Sequence, residues 1–261
     1  MEQKTDTRRA LAAAREIVCT YRGPRLRIME VCGTHTHEIF RLGVRALLPE
    51  TIELISGPGC PVCVTPVSFI DEACYLAREC GVTLCTFGDL VRVPGSSGSL
   101  ADARSRGARV QVVYTPLDAV TYATDHPEED VVFLSVGFET TTPASALAIK
   151  RASAQSLKNF SLLTANKTMD AAYLAMHESC DAYLYPGHVC AITGARVPRA
   201  LTARGISGVV AGFTASELLT ALAVIVKSAG HAPFFANCYP RVVTEDGSPA
   251  AQALLHTYFT P

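Results

Sequence analysis

The chain has no tryptophan, and its charged side chains nearly cancel to a formal net charge of −1. A nucleic-acid surface would need clustered lysine and arginine, so this balance argues against one. Long apolar runs are also missing, since the best one, Leu218 to Val226, has about half of the roughly 20 residues that a membrane span requires. Charges occur throughout residues 1–15, where a secretory signal would be apolar. We therefore expect a soluble, cytoplasmic protein.

Signatures of several common enzyme classes are missing too. The sequence contains neither G-x-x-x-x-G-K-S/T nor G-x-G-x-x-G, the two glycine-rich loops that bind phosphate groups. It also lacks G-x-S-x-G, the turn that carries the nucleophile of many serine hydrolases. A nucleotide-driven mechanism and a serine-hydrolase triad therefore have no support.

Helix-period segments alternate with short apolar runs, which is the pattern of βαβ units with a mainly parallel sheet. We predict an α/β fold of two Rossmann-like three-layer domains that face each other across a cleft. The first would span 1–115, with 216–261 packing back on it, and the second would span 116–215. Strands are predicted at 26–31, 51–55, 82–86, 109–114, 131–136, 160–164, 181–185 and 208–210, with helices that include 6–19, 68–79 and 168–179.

Polar, glycine-bearing loops follow five of the predicted strands. The carboxyl ends of parallel strands are where α/β proteins hold their ligands. We therefore expect these loops to meet at one sheet edge and to line the cleft. The loops lie at 32–35, 57–63, 87–89, 137–140 and 186–188.

Ten cysteines in a reducing compartment indicate core residues, metal ligands or redox groups rather than structural disulfides. Cys60 and Cys63 have the C-x-x-C spacing of a redox pair, in which one thiol is activated and the other resolves a mixed disulfide. The same spacing forms half of a zinc or iron–sulfur site. Because there is no second C-x-x-C, a structural zinc with four ligands is disfavoured.

Cys32 stands alone, with His35 three residues and His37 five residues later. If Gly33 lets this loop fold tightly, a thiolate and an imidazole reach one metal ion, a combination that suits iron, copper or zinc. An ordinary loop is the alternative for Cys32 and His35. If a helix begins at His37, a capping or solvent-facing role is favoured for that residue.

Five motifs, taken in order, resemble the HypD family of hydrogenase maturation proteins. Each motif would be a weak signal alone, but together they are specific and cover most of the chain. They are C-G-T-H-T-H at 32–37, G-P-G-C-P-V-C-V-T-P at 57–66, F-G-D-L-V-R-V-P-G at 87–95, G-F-E-T-T-T-P at 137–143 and P-G-H-V at 186–189.

The resemblance implies a scaffold for metallocentre assembly rather than a classical turnover enzyme. The Fe(CN)2(CO) unit of nickel–iron (NiFe) hydrogenase would be assembled on it. A HypC-type small chaperone would share the iron, and a HypE-type protein would donate cyanide. By position in the motifs, Cys32 would bind the iron with His35 beside it, and Cys60 and Cys63 would be the pair that exchanges electrons.

The same resemblance assigns Glu139 and His188 to the lining of the cleft, as cofactor-binding residues. Family members continue into a cysteine-rich domain that holds a 4Fe–4S cluster, and no four-cysteine group for that cluster remains before Pro261. Thr214 and Ala215 also depart from the family pattern, in which an acidic residue and a proline are typical. A stand-alone thiol–disulfide oxidoreductase and an inactive truncated homologue are therefore the alternative functions.

Overall fold

A computed structural model describes residues 2–231 and 233–259. The chain forms two compact units, of which the first comprises Met1–Cys60 with Met169–Pro249 and the second comprises Pro61–Thr168 with Ala250–Pro261. The expected boundaries near residues 115 and 215 do not coincide with this division. The reason is strand pairing: the first strand of the chain pairs with a strand near residue 182, far along the sequence.

The first unit contains a five-stranded parallel sheet in the order β2-β1-β7-β8-β9. Its helices start from the loops at the carboxyl ends of these strands or cover the sheet. The strands are β1 (Leu26–Glu30), β2 (Ile52–Ser56), β7 (Ala182–Pro186), β8 (Gly208–Ala211) and β9 (Phe235–Asn237), and the helices are α1 (Glu2–Cys19), α2 (Gly33–Arg41), α7 (Met169–Met176), α8 (Gly187–Thr193), α9 (Arg196–Ala200) and α10 (Ala215–Ser228).

Apolar side chains on both faces of this sheet hold the first unit together. Val18 of α1 and Leu222 of α10 are fully buried in the same cluster as Ile28 of β1. On the opposite face, Tyr173 of α7 packs on Tyr183 with ring centroids 5.4 Å apart. Burial of one such side chain contributes about 1.5–3 kcal/mol, so helix packing on both faces fixes the position of the strand ends.

The second unit contains a four-stranded parallel sheet in the order β4-β3-β5-β6. Leu84 and Cys85 are neighbours in β3 but pack into clusters on opposite faces, since successive side chains of a strand alternate. The strands are β3 (Thr83–Thr86), β4 (Val110–Val112), β5 (Val131–Ser135) and β6 (Phe160–Thr164), and the helices are α3 (Val67–Arg78), α4 (Leu100–Ser105), α5 (Pro116–Asp125), α6 (Thr142–Ala154) and α11 (Pro249–Tyr258).

The structure confirms the α/β class, the parallel sheets and all eight predicted strands. It adds β9, which is short and only half-buried and so shows no clear apolar run. The expectation of one edge for all five motif loops is wrong. The loops at 32–35, 57–63 and 186–188 follow strands of the first sheet, whereas those at 87–89 and 137–140 follow strands of the second.

None of the helices within residues 2–231 and 233–259 is both long enough and apolar enough to cross a bilayer.

Candidate functional site

The first sheet has a topological switch point between β1 and β7. The chain runs from β1 to β2 on one side, while β7 lies on the other side of β1. Open parallel sheets bind ligands in the crevice outside the carboxyl ends of the two strands at such a point. Cys32 follows β1 by two residues, and His188 follows β7 by two. The strand order therefore brings two residues that are 156 positions apart to the same crevice.

Cys32 is the residue immediately before α2 and has extended backbone dihedrals, with φ −158° and ψ 123°. The predicted loop is thus the first turn of a helix, and the thiol lies at its amino end. Cys32 is only 4% exposed. Burial raises the pKa of the thiol. A hydrogen bond from the backbone of His35 lowers this pKa but has the smaller effect.

The imidazole of His188 lies against this thiol. The sulfur of Cys32 lies 3.7 Å from Nε2 and 4.0 Å from Nδ1 of His188. Burial lowers the pKa of His188, which favours the neutral ring. A thiol and a neutral imidazole in contact are two donors suited to one soft or borderline metal ion.

His35 is fully buried in the first turn of α2. Its Nε2 lies 3.0 Å from the carbonyl oxygen of Gly212 and therefore donates a hydrogen to it. In the neutral ring, Nδ1 then carries the lone pair, and this atom has no hydrogen-bond partner in the described part of the chain. Burial lowers the pKa of His35 from its ordinary value of 6.5 to about 4. The ring is thus a neutral base with an unused acceptor.

Phe213 was missed by the sequence reasoning and lies against both histidine rings. Its ring centroid is 4.7 Å from that of His35 and 5.1 Å from that of His188. The Phe213 backbone N–H and the Thr214 backbone N–H both donate to Oε2 of Glu217 at 3.0 Å. The only sequence signal was A-G-F directly after a predicted strand, which does not indicate what the ring would contact.

Glu30 was also missed, because a single acidic residue in an apolar strand gives no motif. It is the last residue of β1 and is fully buried. The hydroxyl of Thr36 donates to its carboxylate at 2.8 Å, and the hydroxyl of Ser56 donates at 2.6 Å. Burial raises its pKa, while these two hydroxyl hydrogen bonds act in the opposite direction.

The segment before the C-x-x-C pair packs directly on the Cys32 turn. A Cβ atom at Gly59 would lie 2.6 Å from Cα of Cys32 and 2.6 Å from the backbone nitrogen of Gly33, so only glycine allows this approach. Cys60 follows and is half-buried, whereas Cys63 is exposed. Along the chain, Cys60 is the last residue of the first segment of one unit, and Cys63 is the third residue of the other unit.

Glu139 belongs to the second unit and follows β5 by four residues. It is 7% exposed. Its loop is held by Thr142, whose hydroxyl donates to the carbonyl oxygen of Phe138 at 2.8 Å. The two residues predicted to line a cofactor site, Glu139 and His188, thus belong to different units, and their predicted common cleft stays a prediction.

Within 2–231 and 233–259, no group of three or more His, Cys, Asp or Glu side chains is arranged to hold a metal ion. A 4Fe–4S cluster takes four thiolates, so these residues do not fit that cluster. The thiol of Cys32 and the imidazole of His188 are a two-donor arrangement, which leaves any bound metal with open positions.

Comparison with known proteins decides the family. Residues 8–261 match the family model HypD, described as "Hydrogenase formation hypA family". The chain belongs to the HypD family. Its HypD relatives include hydrogenase maturation factors HypD of Escherichia coli K12 (42% identity), Azotobacter vinelandii (44%) and Cupriavidus necator (41%).

The similarity to these HypD proteins covers nearly the whole chain but not the whole of each relative. For the Escherichia coli protein it covers 90% of this chain and 64% of the relative. The corresponding values are 89% and 65% for Azotobacter vinelandii, and 91% and 66% for Cupriavidus necator. The chain therefore spans slightly less than two thirds of their length. All five sequence motifs lie inside the residues matched by the HypD family model.

Proposed function

We propose that the chain acts in hydrogenase maturation, as a scaffold on which the Fe(CN)2(CO) unit of NiFe hydrogenase is assembled. Iron is the cargo of this scaffold. The observation that carries the proposal is the contact of Cys32 with His188 at the switch point of the first sheet. Membership of the HypD family and the names of the relatives as hydrogenase maturation factors support it.

In this proposal, Cys32 binds the iron as a thiolate. Because burial raises the pKa of the thiol, the bare thiolate is disfavoured, and a metal cation that replaces the proton stabilises it. His188 is the first imidazole available to the same iron. His35, named from its spacing to Cys32, is the second, since its buried Nδ1 has an unused lone pair.

The positions that these donors leave open are assigned to ligands from outside the chain. Cyanide and carbon monoxide take three of them in the Fe(CN)2(CO) unit. A small HypC-type chaperone shares the iron, and a HypE-type protein donates the cyanide. Glu139 is proposed to line the route by which these ligands reach the iron.

Cys60 and Cys63 are proposed as the redox pair of the scaffold. Conversion of the two thiols to one disulfide releases two electrons and two protons, which are available for ligand attachment at the iron. The close packing of Gly59 on the Cys32 turn supports this role, since it keeps the start of the pair next to the iron-binding thiol.

The test is anaerobic isolation of the chain together with its two maturation partners, followed by infrared spectroscopy. We expect bands from iron-bound cyanide and carbon monoxide that disappear in Cys32→Ala and persist in Cys80→Ala, a control at an exposed cysteine in the second unit. Absence of the bands from the wild-type complex, or their survival in Cys32→Ala, would contradict the proposal.

The two histidines can be ranked in the same preparation. We expect His188→Gln to weaken Fe(II) binding more than His35→Gln does. The His188 ring contacts the sulfur of Cys32, whereas Nε2 of His35 donates a hydrogen bond to the carbonyl oxygen of Gly212. An equal or larger loss in His35→Gln would make His35 the iron ligand, as its spacing to Cys32 predicts.

A general thiol–disulfide oxidoreductase is the second candidate, favoured by the exposure of Cys63. An exposed thiol in a C-x-x-C pair is accessible to a protein disulfide. This function would proceed without iron and would be unaffected by Cys32→Ala. Failure of the reduced chain to turn over disulfide substrates would exclude it.

A further inference from the structure

Glu30 is a buried carboxylate to which the iron scaffold assigns no role. It is fully buried, as carboxylates almost never are unless they have partners. It ends β1, the strand that leads into Cys32, and its register partner is Ser56, the last residue of β2. It therefore lies on the strand that precedes one cysteine motif and pairs with the strand that precedes the other.

Contacts of Glu30 reach both motifs. Its carboxylate accepts the hydroxyl of Thr36 in α2, and it also accepts a hydrogen bond from the backbone of Cys32. Towards the second motif, the carboxylate accepts the hydroxyl of Ser56, and the carbonyl oxygen of Glu30 accepts the backbone N–H of Gly57 at 2.7 Å.

Arg45 contacts the same Ser56 hydroxyl that donates to Glu30. Its guanidinium donates to the carbonyl oxygen of Leu54 at 2.7 Å and lies 3.4 Å from the hydroxyl of Ser56. Because the guanidinium only donates, the Ser56 oxygen accepts from Arg45 and directs its own hydrogen to Glu30. The hydrogen bonds from Arg45 to Ser56 and from Ser56 to Glu30 thus require an acceptor at Glu30.

A carboxylate meets this requirement and an amide does not. Glu30 receives hydrogens from the hydroxyls of Thr36 and Ser56 and from the backbone N–H of Cys32, and an ionised carboxylate is an acceptor at both oxygens. A glutamine of the same size would turn one NH2 group towards these donors. Substitution by glutamine therefore preserves volume and removes the acceptor pattern.

We propose that Glu30 is a positioning residue for the iron site, which holds the backbone of Cys32 and the start of the C-x-x-C segment in one fixed geometry. The inference rests on the proposed function, because it takes Cys32 as the iron ligand. Partners that orient metal ligands without touching the metal typically change metal affinity 10- to 100-fold when they are removed. We expect a loss in that range for Glu30→Gln.

The experiment is an anaerobic titration of the full chain with Fe(II), repeated with Co(II) to follow the thiolate-to-metal absorption band. Glu129→Gln is the matched control, because Glu129 also accepts hydroxyl hydrogen bonds, from Thr83 and Tyr122, but lies at the amino end of the second sheet. We expect Glu30→Gln to weaken Fe(II) binding about 10- to 100-fold and to shift the Co(II) band. Glu129→Gln should do neither.

Ser56→Ala is the second variant, since it removes one donor and leaves the carboxylate in place, so the inference stays testable if Glu30→Gln does not fold. We expect it to weaken Fe(II) binding severalfold, with Cys32→Ala as the reference for complete loss. Wild-type affinity in Glu30→Gln and Ser56→Ala, with binding abolished in Cys32→Ala, would overturn the inference and leave the iron site intact. No Fe(II) binding by wild type would overturn the proposed function itself, and the inference with it.

Discussion

Replacement of Gly59 by alanine tests the contact that joins the two cysteine motifs. The new Cβ would lie 2.6 Å from Cα of Cys32, a distance that must lengthen to about 3.4 Å for ordinary van der Waals contact. The opposing atoms belong to the backbone, so no side-chain rotation relieves the clash. Overpacking of this kind costs about 1–3 kcal/mol. We expect Gly59→Ala to lower the free energy of unfolding by that amount and to weaken the iron binding that we propose for Cys32.

Gly33→Ala is the control for this prediction, because it places a methyl group on the other side of the same contact. Its Cβ would meet only the carbonyl oxygen of Gly59, at 3.9 Å, and would therefore fit. Urea unfolding, monitored by circular dichroism, gives the free energy of unfolding of both variants. Titration with Fe(II) gives their iron affinity. If Gly59→Ala is as stable as Gly33→Ala and binds Fe(II) equally well, the two motifs do not depend on this packing.

Three further predictions concern pH, thiol reactivity and a half-buried amide. Burial lowers the pKa of His35 from 6.5 to about 4, so the unfolded chain binds a proton at a higher pH than the folded chain does. The free energy of unfolding should therefore be highest above about pH 6.5 and should fall by up to about 3 kcal/mol towards pH 4. In urea unfolding, His35→Gln should make this pH dependence weaker. Maleimide labelling followed by mass spectrometry should modify the exposed cysteines Cys63 and Cys80 before Cys85, because Cys85 is fully buried and burial raises its pKa to about 12. Equal labelling rates would contradict the burial of Cys85. Asn159→Ala should cost about 1–3 kcal/mol in the same unfolding assay, since its amide nitrogen lies within 2.9–3.1 Å of three backbone carbonyl oxygens, and an unchanged midpoint would exclude this role.

Local sequence patterns predicted most of the secondary structure because each strand of these parallel sheets is a short apolar run between polar loops. Val131–Ser135 and Phe160–Thr164 were predicted to within one residue. Phe235–Asn237 escaped because a three-residue, half-buried strand has too few side chains to form a pattern. The pairing of β1 with β7 could not be predicted from the sequence, since it joins residues about 150 positions apart and leaves no periodic pattern.

The candidate site shows the same limit. Cys32 and the C-x-x-C pair were found from residue type and spacing, which depend only on the local chain. His35 was paired with Cys32 for the same reason, but the helix that starts at Gly33 directs its Nε2 to Gly212. The contacts made by Glu30 and Phe213 come from other strands and loops, so no spacing in the sequence indicated them.

The sequence by itself determined the α/β class, the approximate strands and the family, because apolar runs and five ordered motifs are properties of the chain in one dimension. It also predicted which cysteines carry chemistry, namely Cys32, Cys60 and Cys63. Only the tertiary structure decided which imidazole meets the thiol of Cys32, because strand order at the switch point places His188 there. It likewise decided that one buried carboxylate contacts both cysteine motifs, since that contact forms only when β1 and β2 pair side by side.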